Sequence, residues 1–265
     1  MPGIVSISGD QRGETALANL PTVGAGGEEL RVEAGGLVKV DAYTAVVLRA
    51  LAENYGSRYR KTVTFRPPKS DETWALLASL LGAGLPDYFC PAAGATFPVV
   101  HSRAAILPTR RIESVDDNDE VAERLLDLID SDSYGRRNVA LMASAFAVLG
   151  ENALIHAADS VIGTFAAIAY ERDAGTLQLV VTDLGRGLVG AEDPYEAVID
   201  LVERSQQHGG GLDGLVADAR RKEIDLELRI ASSSSRLSWR NGVPNVSEAQ
   251  AVPGFTAAAI IHLDR

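Results

Sequence analysis

With 265 residues, 46% apolar and 23% charged, the chain can form one large domain or two modest ones with ample core. A formal charge of -11 argues against a nucleic-acid binder that neutralises phosphates, while leaving room for one nucleotide held by local groups. A single cysteine, Cys90, cannot close an internal disulfide or build a cysteine-rich metal site, which fits a reducing cytoplasm.

Met1-Pro-Gly-Ile-Val lacks the basic region and long apolar core of a signal peptide. The apolar run Leu141–Leu149 is too short to span a bilayer. The expected location is therefore the cytoplasm, with no membrane and no nucleic-acid partner.

Residues 1–28, rich in glycine, alanine and small polar residues, are expected to form a poorly ordered lead-in. Leu30–Val40 reads as a strand or hairpin around Gly35-Gly36. Asp41 is placed to cap a helix through about Tyr55, with Ala45, Leu48, Leu51 and Ala52 on one stripe. Thr62–Phe65 is a short strand stopped by Pro67-Pro68. Ser70 can cap the next helix, which turns Trp74, Leu77, Leu80 and Leu81 inward. Residues 29–112 thus read as a small α/β domain and linker, with Pro86–Pro108 as the boundary zone.

Residues 113–265 form a second pattern. Asn118–Asp130 is an acidic amphipathic helix around Val121, Leu125 and Ile129, and a longer helix runs from about Tyr134 to Ala158. Val161–Tyr170 and Thr176–Asp183 are strands joined by a turn at Glu171–Gly175. Asp193–Gln206 and Gly211–Lys222 are helical. Asp225–Ala231, Leu237–Arg240 and Gly254–Leu263 supply three more strands, and Ser232–Ser235 is the one low-complexity tract. The predicted fold class is α+β, with helices grouped on one face of a mixed sheet and a small α/β domain in front of it.

Four features could carry chemistry. Asp183 shares its strand face with Leu177, Leu179 and Val181, so its carboxylate is costly to bury without hydrogen-bond donors. Gly185 and Gly187 follow it and let a flat ligand approach the backbone. The alternative is a strand ending in a tight Asp-Gly turn. Val148, Asn152 and His156 lie on one helical stripe, where the Asn152 amide oxygen could be a single Mg²⁺ ligand or simply bond a nearby loop. His208 and Gly209-Gly210-Gly211-Leu212 precede a helix, either as a phosphate cradle or as a glycine-rich cap. Thr256, in Gly254-Phe-Thr256, either donates near a bound base or is an ordinary strand residue.

Taken in order, these elements resemble the GHKL ATPase superfamily, which includes histidine-kinase ATP-binding domains, anti-sigma-factor kinases, DNA gyrase and heat-shock chaperones. Leu149-Gly-Glu-Asn-Ala-Leu-Ile-His156 resembles its N box, Asp183-Leu-Gly-Arg-Gly187 its first glycine box, and Gly209-Gly-Gly-Leu212 its phosphate box, with Thr256 as the late threonine. The resemblance implies a Bergerat-type sandwich binding ATP and Mg²⁺. In it Asp183 reads adenine and Asn152 holds the metal, while His156, Gly185, Gly187, Gly209, Gly210, Gly211, Leu212 and Thr256 line the nucleotide. The N-terminal unit has an element order similar to STAS-like domains, or is an extension packed on the ATPase domain or on a second subunit.

The chain departs from that pattern where catalysis needs it. Val148 stands where many members carry the glutamate that activates water, and Glu151 points about 100° away from Asn152 around the helix. No lysine stands out as a γ-phosphate anchor, and the covering segment Leu188–His208 is short. Only His101 precedes Asn152, and it falls in the expected boundary zone, so autophosphorylation on histidine is not expected. The expected function is a nucleotide-dependent regulatory switch with weak or absent hydrolysis, partnered by a protein or a second copy. The alternatives are an anti-sigma-type serine/threonine kinase acting on a STAS partner, and an oligomerising scaffold with a degenerate pocket.

Overall fold

The computed structural model describes residues 3–9, 29–38, 40–58, 60–82, 85, 87, 89–98, 105–128, 134–157, 163–172, 174–183, 211–240 and 243–263. Its N-terminal part is a sheet of β1 (Gly3–Gly9), β2 (Glu29–Leu37), β3 (Thr62–Arg66) and β4 (Phe89–Pro91), paired in that order and parallel throughout. Parallel neighbours need long crossovers. Helix α1 (Ala42–Glu53) carries β2 to β3, and α2 (Asp71–Leu81) carries β3 to β4. Both expected caps form: Asp41 Oδ1 accepts the Thr44 N–H at 2.7 Å, and Ser70 Oγ accepts the Thr73 N–H at 3.3 Å. Residues 3–9, expected within a poorly ordered lead-in, instead supply an edge strand.

One face of this sheet sends Leu30, Val32, Val63 and Phe65 into the core beneath α1 and α2. The other face is charged and wet, with Arg66 paired to Glu33 at 3.4 Å and Arg31 to Glu29 at 3.2 Å.

The second sheet is ordered β5 (Ala105–Ile112), β6 (Thr164–Glu171), β7 (Thr176–Asp183), β9 (Val243–His262) and β8 (Asp225–Arg240). Each described pair in it is antiparallel, which corrects the expected mixed sheet while keeping the α+β class. The reason is local: β6 and β7 are joined by a tight turn that pairs Glu171 with Thr176, and β8 returns directly into β9.

Helices α3 (Val115–Leu128), α4 (Arg136–Ala157) and α5 (Gly211–Arg221) cover one face of this sheet, over Leu177, Leu179 and Val181. The opposite face is covered too. Phe165, Ala167, Val180 and Ile260 share a core with α1, so the layers run sheet, helix, sheet, helix. Ten of the twelve residues of α1 are therefore buried, where one apolar stripe was expected. A helix apolar nearly all round belongs between two layers. By length and composition α4 could cross a bilayer over Arg136–Ile155, but 50% of that span is buried against the protein, as in a core helix.

Strands β8 and β9 replace the three expected strands and form one bent ribbon. Register shifts fall between Ser232 and Ser235, within the serine tract. Arg240 then grips Asp225 through Nε at 3.1 Å and a terminal nitrogen at 2.7 Å, and Ser238 donates to Glu227 at 3.4 Å. Fifteen residues of straight strand would span roughly 50 Å. The ribbon has folded back along itself, and the Arg240 bond holds the Asp225 carboxyl below its ordinary range.

Candidate functional site

All eight residues of β7 are buried, and Asp183, its last residue, has no exposed surface. Alternation along the strand places Asp183 on the face of Leu177, Leu179 and Val181, under the helices. Residues paired directly across an antiparallel ladder share a face. The row crossing the sheet at Asp183 is therefore Ile112, Thr164, Asp183, Phe255 and Ser232. The next row inward is Arg110, Ala166, Val181, Ala257 and Ile230, apolar on every strand but the edge strand β5, where Arg110 pairs with Asp117 of α3. On the inner strands polarity is thus concentrated at the end of the helix-covered face where β7 closes at Asp183.

Thr164 is the residue that sequence reasoning missed. It is fully buried beside Asp183, and its hydroxyl has no hydrogen-bond partner among the described residues. Counting outward from the Glu171–Thr176 turn pairs Thr164 with Asp183, so the signal was available. On the other flank stands Phe255, 1% exposed. A carboxylate between a hydroxyl and an aromatic ring can grip the edge of a flat heteroaromatic ligand and cover it with an apolar surface.

Thr256 is not brought to that group. Its hydroxyl lies 2.6 Å from the Thr182 hydroxyl, and both residues are buried on the sheet face opposite Asp183. One step of register decides this, because adjacent residues face opposite ways.

Asn152 sits in the last third of α4, half-buried, while its neighbours Leu149 and Ala153 enter the core shared with Val181 and Phe255. Val148 packs against the same core, and Glu151 is exposed. A valine moves no proton, and an exposed glutamate is poorly placed to act inside. His156 lies in the last turn of α4, and its side chain falls outside the described residues.

Gly211 opens α5 with φ +62, a conformation that glycine adopts without strain, and no atom of the described residues lies within 4 Å of where its side chain would stand. Leu212 behind it is 3% exposed and anchors the helix in the core. Gly185, Gly187, Gly209, Gly210, His101, His208, Arg186, the 188–208 segment and the helix expected at Asp193–Gln206 lie outside the described residues. Among the described residues no three His, Cys, Asp or Glu side chains gather as a metal cage. A hard cation here would lean on few protein oxygens and on those of a ligand. Comparison with known proteins finds no family model and no curated protein that matches the chain.

Proposed function

We propose that residues 113–265 bind an adenine nucleotide with Mg²⁺ in a Bergerat-type pocket, and that the protein works as a nucleotide-dependent regulatory switch. The observation that carries this reading is the wholly buried Asp183 carboxylate at the end of β7, on the helix-covered face, flanked by Thr164 and Phe255. A buried carboxylate is a strong acceptor with room for more than one donor. The 6-amino group of adenine supplies a donor, in a charge-assisted bond worth roughly 1.5–3 kcal/mol.

Thr164 adds a second polar contact, and Phe255 offers an apolar surface to the base. The half-buried amide of Asn152 would give Mg²⁺ one neutral oxygen, with phosphate oxygens and water completing the shell. Bound Mg²⁺ would neutralise phosphate charge. Backbone N–H groups behind Gly211 suit the phosphates, helped by the dipole of α5. Val148, packed in the core, and Glu151, exposed, give Asn152 no proton acceptor among the described side chains of α4, which favours binding without rapid turnover.

Calorimetric titration with ATP, with and without Mg²⁺, tests the reading. Saturable binding of one nucleotide per chain is expected. Asp183→Asn should weaken it more than tenfold, because the amide loses the charge and presents its own donors to the amine. Unchanged affinity in a folded Asp183→Asn protein would remove the adenine role. Asn152→Ala should flatten the dependence of affinity on Mg²⁺, and an unaltered dependence would make Asn152 structural.

A further inference from the structure

The folded-back ribbon of β8 and β9 encloses a cavity of about 300 Å³ against α1, on the sheet face opposite Asp183. That volume is at the lower end of small-ligand sites. Thr256, whose side chain faces away from Asp183, lines it, as do Arg229 and Arg236. Asn245 and Ser247 are exposed and mark its mouth.

The charge inside runs against that of the chain. Two guanidinium groups and one carboxylate, Glu227, line the cavity of a protein whose formal charge is -11. Glu227 is bonded within the cavity wall and behind it: it accepts from Arg229 Nε, from Ser238 at 3.4 Å, and faces His262 Nε2 at 3.3 Å. This fixes Arg229 by its Nε edge, and its terminal nitrogens make no hydrogen bond among the described residues. The hydroxyls of Tyr43 and Ser247 and the amide of Asn245 line the rest, while those of Ser238 and Thr256 are already bonded to Glu227 and Thr182.

We propose that this cavity binds a small phosphate monoester, distinct from any nucleotide at Asp183. A guanidinium held by one edge presents its remaining donors as a rigid fork, which matches phosphate oxygens. Three terminal phosphate oxygens use a donor-rich lining more fully than the two of a carboxylate. The walls come from both halves of the protein, with Tyr43 on α1 and the remainder on β8 and β9. Occupancy therefore stabilises the contact between the N-terminal unit and the second sheet, by mass action on the folded form.

The test is calorimetry on the full chain with glycerol phosphate, inorganic phosphate and malonate at fixed ionic strength. Glycerol phosphate should bind saturably, one per chain, at least tenfold more tightly than malonate. Inorganic phosphate binding as tightly as the ester would show a site for the free ion and overturn the monoester assignment. Arg229→Lys, which keeps the charge beside Glu227 and removes the fork, should weaken glycerol phosphate at least tenfold. Asn245→Leu, at the exposed mouth and outside the Glu227 network, should weaken it severalfold, and Asp183→Asn should leave it unchanged. The proposal falls if wild type shows no saturable binding, if neither Arg229→Lys nor Asn245→Leu alters affinity, if malonate matches the ester, or if Asp183→Asn abolishes binding.

Discussion

Gln178 Oε1 accepts the backbone N–H of Ala42 at 3.1 Å, inside the protein and across 136 positions of sequence. Ala42 is the first residue of α1, where N–H groups have no partner within the helix. Asp41 satisfies the N–H of Thr44, and the side chain of Gln178 on β7 satisfies that of Ala42. The N-terminal unit is thereby tied to the central strand, on the face opposite Asp183. Gln178→Leu keeps the bulk and strands a buried donor, at a cost of about 1–3 kcal/mol. Urea unfolding of the variant should show one transition with a lowered midpoint. Two separate transitions in the wild type would refute a core shared between the layers.

Gly150 decides how α3 meets α4. A methyl group there would lie 1.8 Å from Asn118 Oδ1 and 2.7 Å from its Cγ. Asn118 is wholly buried and donates through Nδ2 to the Ala147 carbonyl at 3.0 Å. Alanine improves helix propensity over glycine by about 1 kcal/mol. Displacing Asn118 breaks its bond and crowds the interface, at about 1–3 kcal/mol each. The clash should win, so Gly150→Ala lowers the thermal midpoint. Adding Asn118→Ala to that variant removes the obstacle and should recover part of the loss. A Gly150→Ala protein more stable than wild type would show that the interface yields freely.

What the sequence reveals here is mostly local. The caps at Asp41 and Ser70, the long α4, the turn at Glu171–Gly175 and the inward face of Asp183 each follow from a few neighbouring residues. Non-local pairings are harder to read. The parallel pairing of β1 with β2 depends on residues nearly thirty positions away. Thr256 could be placed in a strand, but its face follows from pairing with Thr182 across β7 and β9. The fold-back of the ribbon was hidden in the serine tract, which signals a break without its direction. The burial of α1 on all sides was within reach, since Arg49 and Glu53 are the only charged residues in it, and they bond to each other.

The clasp between Asp225 and Arg240 should loosen in acid. The hydrogen bond from Arg240 is the largest cause of the lowered Asp225 pKa, reinforced by that charge and by nearby His262 and opposed by burial. Because the folded pKa lies below the ordinary value of 3.8, the stabilisation is complete above 3.8 and disappears as pH falls through the lower, folded value. Both side chains are partly exposed, so the pair is worth about 0.2–1 kcal/mol, which salt should reduce. Hydrogen exchange of residues 236–247 provides the measurement. At neutral pH, Asp225→Asn should exchange up to about fivefold faster than wild type, matching that energy range. The difference should shrink as the pH drops below 3.8 and vanish once the wild-type carboxyl is protonated in the folded state. A gap that persists in acid would mean that the substitution acts through something other than the ion pair, and no gap at neutral pH would mean that the ribbon is held closed by its apolar contacts through Leu237 and Trp239.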